Sequence, residues 1–536
     1  MATDGQSKTE QAAADKGRKN DPGYRRQEQF DPRVLDRSVL AVPLLREFEK
    51  SRRATSRRFD VIIDLNLRFP GGLRLARDQV ESLLEEVVET LRSRRGRKRV
   101  REIAEILSLD KSELTPQYLF GELTEAEIRL LVERDRTSKE HRGIYRVWFD
   151  FPIEARLDRS CATIKADAAR VSFGACGRRI VWAVVDSGID ETHPHFAQHG
   201  NLKLPDGIDH QDFTTKDDPL PLRDGFGHGT HVAGIIAGEW DPEKDRERAD
   251  PPSDREAGPE ILWAAERERD HTGEETVRTR EVERIAGVAP ECKLLSLKVL
   301  EDDGTSGRSS DLICALAYVQ QCNQHGRDLR IHGVNMSLGY GFDPEWFACG
   351  QSPLCVEVDR LVASGVVVVA AAGNTGYGWV STKARGTSAA GLDMTINDPG
   401  NADRAITVGA THRDMTHVYG VSYFSSKGPT GDGRLKPDLI APGERILSCA
   451  AGTPRADLEE QLADDRTVLY RQESGTSMAA PHVSGAIAAF LSIRREFIGR
   501  PERVKEIFLA SATDLGRERY FQGHGLIDLM RAIQSI

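Results

Sequence analysis

The chain has 536 residues, a formal net charge of -10, 39% hydrophobic and 29% charged residues. It is long enough for a large core with additions, and too rich in apolar residues to be disordered as a whole. Mild acidity with mixed signs speaks against a general nucleic-acid binder, which carries a basic face. The longest apolar stretch, 361–372, is broken by Ser364 and Gly365 and falls short of the roughly 20 residues that span a bilayer, so no membrane partner is expected.

Residues 1–57 are polar, charged and poor in aromatics, which predicts a disordered tail. No apolar h-region precedes a small-residue cleavage site within 1–60, so export is not expected. Eight cysteines in a chain of this length are sparse for a disulfide framework. Both observations predict a cytoplasmic protein. Cys349 and Cys355, the one close pair, read as two reduced thiols in a surface loop, with a labile disulfide or half a metal site as the alternatives.

Residues 58–157 form a separate unit. Alternation over 59–67 predicts a strand, and helical spacing over 75–91 predicts a helix. The basic run 92–101 reads as a solvated helix end and loop. A strand follows at 117–121. Thr124 with Glu127 three residues on is a capping-box signature for a helix to about 135. An aromatic-rich strand at 144–152 closes a small α+β domain.

From 158 to 536 strands alternate with helices. The strands are expected at 180–185, 294–299, 331–336, 366–371 and 406–410, with helices at 309–324 and 356–363. This order predicts an α/β fold, a parallel sheet with helices on both faces. Residues 239–284 interrupt the pattern with Glu, Arg, Asp and Pro. They predict a surface insertion, partly disordered or helical around 260–269, either a tolerated loop or an arm for a regulatory protein partner.

Four segments in this region carry chemistry. In Val184-Val185-Asp186-Ser187-Gly188 a carboxylate ends a buried strand, where open α/β sheets place catalytic groups. In Gly227-His228-Gly229-Thr230-His231 a histidine starts a small-residue helix, with glycines that let backbone and substrate approach. His228 and His231 stand three apart with no acid between them, which does not fit a zinc site. In Ala371-Ala372-Gly373-Asn374 an amide follows a buried strand, where its NH2 can donate to a developing oxyanion. In Gly475-Thr476-Ser477-Met478-Ala479-Ala480-Pro481-His482 a serine begins an apolar helix with Pro481 in its first turn. Ser477 is not in a Gly-x-Ser-x-Gly elbow, because position 479 is Ala.

Together the four segments resemble the subtilisin-like serine proteases, the subtilases, and the chain order Asp, His, Ser is that of subtilisin. Gly287-Val288-Ala289-Pro290, Asn335-Met336-Ser337-Leu338-Gly339, Phe424-Ser425-Ser426, Lys436-Pro437-Asp438 through Gly443, and Gly523-His524-Gly525 extend the resemblance over 158–536. It implies a serine endopeptidase with Ser477 as nucleophile, His228 as base, Asp186 as its orienting acid and Asn374 in the oxyanion hole. It further implies an extended protein or peptide substrate along Ser337-Leu338-Gly339 and Gly304-Thr305-Ser306-Gly307, where Gly307 and Gly339 leave room for its backbone. The stretch 375–398 departs from shorter relatives, so the P1 preference is not legible. No cofactor is required by such chemistry. Calcium is common in the family, but no loop here lets its ligands be assigned. Domain 58–157 resembles the family's propeptides in element order and position. That predicts an intramolecular inhibitor, with residues 150–159 in or near the cleft. A binding scaffold without activity and an esterase are the rival readings.

Overall fold

The computed structural model describes the chain except residues 1–38, 42–43, 46, 49–56, 96–105, 109–111, 113–114, 138–140, 151–158, 242–261, 270–274, 305–306, 344, 346–347, 383–385 and 463–466. It divides into two compact units at Glu154/Ala155, three residues before the expected boundary. The linker segment 151–158, expected at the cleft, lies outside the described residues.

In the first unit, strands β1 (Arg58–Leu65), β2 (Tyr118–Thr124) and β3 (Ile144–Phe149) form an antiparallel sheet in the order β2-β1-β3. Helices α1 (Leu73–Arg95) and α2 (Glu125–Thr137) pack against each other. Phe59, Val61, Ile63 and Leu65 point from alternate positions of β1 into a core closed by Val80, Leu84 and Val87 of α1. The capping box forms as expected. Thr124 N donates to Glu127 Oε2 at 2.7 Å, and Glu127 N donates back to Thr124 Oγ1 at 3.3 Å. The expected disordered tail needs correction at its end: Leu40, Leu44 and Phe48 are buried in this core, and Ala41 N donates to Val147 O at 2.9 Å. Burial of three large apolar side chains offsets the entropy of ordering that segment.

In the second unit, apart from the short antiparallel pair Glu239–Trp240 and Ile285–Ala286, the strands in chain order are β4 (Val181–Asp186), β5 (Gln211–Asp212), β6 (Leu262–Arg269), β7 (Glu275–Val282), β8 (Lys293–Lys298), β9 (Gly333–Met336), β10 (Val367–Ala371), β11 (Tyr377–Thr382), β12 (Gly386–Gly391), β13 (Ile406–His412), β14 (Leu439–Glu444), β15 (Ile446–Cys449) and β16 (Val468–Glu473). The main helices are α3 (His228–Ile236), α4 (Ser309–Cys322), α5 (Pro353–Ala363), α6 (Gly452–Leu462) and α7 (Thr476–Ile493). Seven strands make one parallel sheet in the order β14-β13-β10-β9-β4-β8-β5.

All of β4 and β10 is buried, because both faces are covered. Trp182 and Val184 face one layer, with Ala480, Val483 and Ile487 of α7. Val181, Ala183 and Val185 face the other, with Leu316 of α4 and Leu361 of α5. This is the α/β architecture expected from the alternation. Among the described helices one, Thr476–Ile493, is long and apolar enough to cross a membrane, and it is the buried core helix α7. All eight cysteines are described and none is disulfide-bonded; Cys349 and Cys355 are buried rather than in an exposed loop.

The insertion departs from expectation. Residues 262–269 are a strand, not a helix, and form an antiparallel hairpin with β7. The hairpin extends a second sheet in the order β15-β16-β6-β7, through parallel pairing of β6 with β16. Leu262, Ala264 and Val282 are buried there. The Glu/Arg repeat favours helix locally, and pairing with β7 along its whole length and with β16, some 200 residues away, overrides it.

Candidate active site

The parallel sheet delivers its functional groups from strand ends, as open α/β sheets do. Asp186 closes β4 and is fully buried. His228 opens α3, across from it. Its Nδ1 donates to Asp186 Oδ1 at 2.7 Å, which leaves Nε2 toward the cleft. Asp186 Oδ1 also accepts from Ser187 N at 2.9 Å. Burial works to lower the His228 pKa, but Asp186, with help from Asp224 and Glu473, outweighs it and raises the imidazole above its ordinary value. Gly229 is needed by the backbone rather than by substrate, since a Cβ there would stand 2.2 Å from Gly188 O.

Ser477 is the second residue of α7, so its N–H is one of the four at a helix start without an intrahelical carbonyl. Its Oγ donates to Ser337 O at 2.8 Å, and Ser337 Oγ donates to Ser477 O at 2.8 Å. The second bond has a structural cause. Pro481 lies in the second turn of α7, not the first, and has no N–H to give to the carbonyl of Ser477. Ser337, at the end of β9, supplies the missing donor. Asn335 Nδ2 donates to Ser337 Oγ at 2.8 Å, and Ser484 Oγ donates to Asn335 Oδ1 at 2.8 Å. A buried polar chain thus ties β9 to the helix that carries the serine.

Asn374 follows β10. Its Oδ1 accepts from Thr476 N at 2.9 Å and from Thr476 Oγ1 at 3.1 Å. With the oxygen so held, the NH2 is left for the cleft. The cleft has a volume of about 570 Å³ and is lined by His228, Ser477 and Asn374 together with Ser337, Leu338 and Gly339. Gly304 and Gly307 line it too, whereas Thr305 and Ser306 lie outside the described residues. One expectation is corrected: a Cβ on Gly339 would stand 2.3 Å from Asp398 O, and one on Gly307 2.4 Å from Leu300, so these glycines make room for the protein's own chain.

Sequence reasoning missed Asp224. This buried carboxylate accepts from Ser187 Oγ (2.8 Å), Gly227 N (2.7 Å), Thr230 N (2.8 Å) and Thr230 Oγ1 (2.6 Å). It seats the first turn of α3 and therefore the imidazole of His228. Burial raises its pKa despite these four donors. An acid four residues before the histidine, with a threonine two after it, was the available signal.

A helix-flanked parallel sheet with Asp, His and Ser at one cleft defines the class, and the sequence comparison agrees. The model of the subtilase family matches residues 177–525, and the chain belongs to that family of serine endopeptidases. It is 32% identical to pyrolysin of Pyrococcus furiosus over 58% of this chain and 21% of that protein. It is 29% identical to serine protease AprX of Bacillus subtilis over 69% of this chain and 70% of that protein. Subtilisin E of Bacillus subtilis is also 29% identical, over 69% and 70%. The chain therefore spans about a fifth of pyrolysin's length and about seven tenths of the other two.

Proposed function

We propose that this serine endopeptidase cleaves proteins through an acyl-enzyme on Ser477. The supporting observation is the 2.7 Å bond between His228 Nδ1 and Asp186, which aims Nε2 into the cleft shared by Ser477 and Asn374. Rotation about χ1 frees the Ser477 hydroxyl from Ser337 O and brings it to His228. Its Oγ attacks the scissile carbonyl while His228 Nε2 takes the proton. Asp186 stabilises the imidazolium, and the Asn374 NH2 with the Ser477 N–H holds the oxyanion. The imidazolium then protonates the leaving amine, and water hydrolyses the ester by the same route in reverse. Substrate lies extended along Ser337-Leu338-Gly339 and Gly304-Thr305-Ser306-Gly307, adding a strand. Each of Ser477→Ala, His228→Ala and Asp186→Asn is expected to remove most peptide hydrolysis, and double variants to be little worse than single ones. Near-normal turnover by Ser477→Ala would end this reading.

We further propose that the first unit restrains the protease, supported by its three-stranded α+β order and its place before the catalytic unit. Residues 1–157, added in trans to protease freed of them, are expected to inhibit. An unchanged rate at saturation removes the inhibitor. The absence of disulfides among the described residues supports a cytoplasmic setting, which fractionation tests. The insertion hairpin is the proposed contact for a regulatory partner.

A further inference from the structure

The stretch 375–398, where the sequence departs from shorter relatives, contains the antiparallel strands β11 and β12. It leaves the active site directly: Asn374 and Thr375 line the cleft, Gly376 N donates to Phe424 O at 3.0 Å, and β11 begins at Tyr377. Tyr377 and Trp379, two apart on one strand, share a face. Their register partners on that face are Gly391 and Ala389, which are too small to cover a ring. Tyr377 remains 48% exposed and Trp379 75%. Tyr423, itself 66% exposed, meets Tyr377 edge to face with centroids 5.7 Å apart. Two large aromatic side chains thus stand open on a two-stranded ribbon, with Tyr423 beside them, and no further strand pairs with either edge among the described residues.

We propose that this aromatic face is an exosite that holds an apolar segment of the polypeptide substrate, outside the residues next to the scissile bond. The inference rests on the peptidase reading and names its substrate class: unfolded or extended chains with an aromatic or large aliphatic residue at a distance from the cut. Three arguments favour this occupant. The face follows the cleft in the chain, because Thr375 still lines the cleft and the strand that bears Tyr377 and Trp379 starts three residues after Asn374. Trp379 is five residues from Asn374, at most ~17 Å of extended chain, a span that a substrate covers with about five residues. The area is also too small for a second copy of the protein. A fully covered aromatic side chain buries about 150–250 Å², so three that are half to three-quarters open offer roughly 300–500 Å², against about 800 Å² per partner in a stable dimer. An extended peptide needs no more, and the outer edge of β11, which pairs with no strand among the described residues, can pair with its backbone.

The test uses the full chain and two sets of substrates. The first is a four-residue chromogenic peptide. The second is a pair of internally quenched peptides of about 16 residues, identical around the cut, with either Trp or Ser placed five or six residues away on both sides. The parent is expected to prefer the Trp peptide by about tenfold in kcat/KM, carried by KM. Trp379→Ser removes this preference, Trp379→Phe keeps most of it, and neither changes turnover of the short peptide. A preference that survives Trp379→Ser, or that the parent lacks, overturns the exosite. Binding of the same peptides to Ser477→Ala, followed by fluorescence anisotropy, separates the two readings. Preferential binding lost in Ser477→Ala/Trp379→Ser upholds the exosite even where no peptide is cut, and equal binding of both peptides overturns it. Concentration-dependent dimerisation that Trp379→Ser abolishes would assign the face to a second copy and also overturns it.

Discussion

Acid should unfold the catalytic unit through imidazoles that its core holds neutral. His193 is buried, accepts the His195 N–H on Nδ1 at 3.2 Å, and meets Leu469 O through Nε2 at 2.8 Å. A second proton on Nδ1 would point one N–H at another. His195 lies between the Tyr470 hydroxyl and Gly234 O. Burial holds His193 at about 4 and His195 at about 3, below an ordinary value of 6.5. Asp190 raises and Arg455 lowers the first, and Glu239 raises the second, without reversing either shift. These folded values are depressed, so the stability they carry is complete above 6.5 and is lost as pH falls toward 4 and 3. At pH 5 the unfolded chain has bound protons that the fold refuses, at a cost of about 2 kcal/mol per imidazole. His332, held at about 4 while accepting the Val181 N–H, adds a similar amount. The raised pKa values of His228 and Asp224 act in the opposite direction. A comparison between variants cancels them. Urea unfolding of Ser477→Ala, which prevents self-digestion, is measured at pH 7.5 and at pH 5. The pair is repeated with His193→Asn added. The second protein is expected to lose about 2 kcal/mol less than the first across this interval. Equal losses would refute the claim that His193 is held neutral by the fold.

Three further outcomes are expected. Asn374→Ala should lower kcat with little effect on KM; the corresponding substitution in subtilisin itself costs about 10² to 10³, and this chain should follow it. Asp224→Asn removes a negative charge that raises His228, so the acid limb of the kcat/KM profile, which lies above 6.5 in the parent, should move to lower pH; an unmoved limb contradicts the role given to Asp224. Turnover should survive saturating EDTA, because serine, imidazole and amide donor supply every step. A loss that calcium reverses would show that the metal supports the active form.

Much of the site was legible because its parts are local. Asp186, His228, Asn374 and Ser477 each sit at the end of a strand or the start of a helix, with small residues around them, and such junctions can be read from a few neighbours. The buried strands β4 and β10 are continuous apolar runs for the same reason. What escaped depends on distant partners. Asp224 looks like any loop acid until Ser187 and Thr230 converge on it. β14, which was not among the expected strands, contains Pro442 and Gly443; as the edge strand of the parallel sheet it tolerates the proline. β6 became a strand through pairing with both β7 and the distant β16, and Leu40, Leu44 and Phe48 became core by joining the cluster of the first unit.

The bond from Ser337 Oγ to the carbonyl that Pro481 leaves without a donor bears on how this enzyme can diversify. Leu338 and Ser337 border the same cleft, yet only one of them is free to answer to substrate. The hydroxyl at 337 doubles as a fastening for the backbone of Ser477, and its loss would orphan both that carbonyl and Asn335 Nδ2. Selection for new specificity should therefore run through 338 and leave 337 as serine or threonine. A library randomised at both positions and sorted for activity would show the asymmetry directly.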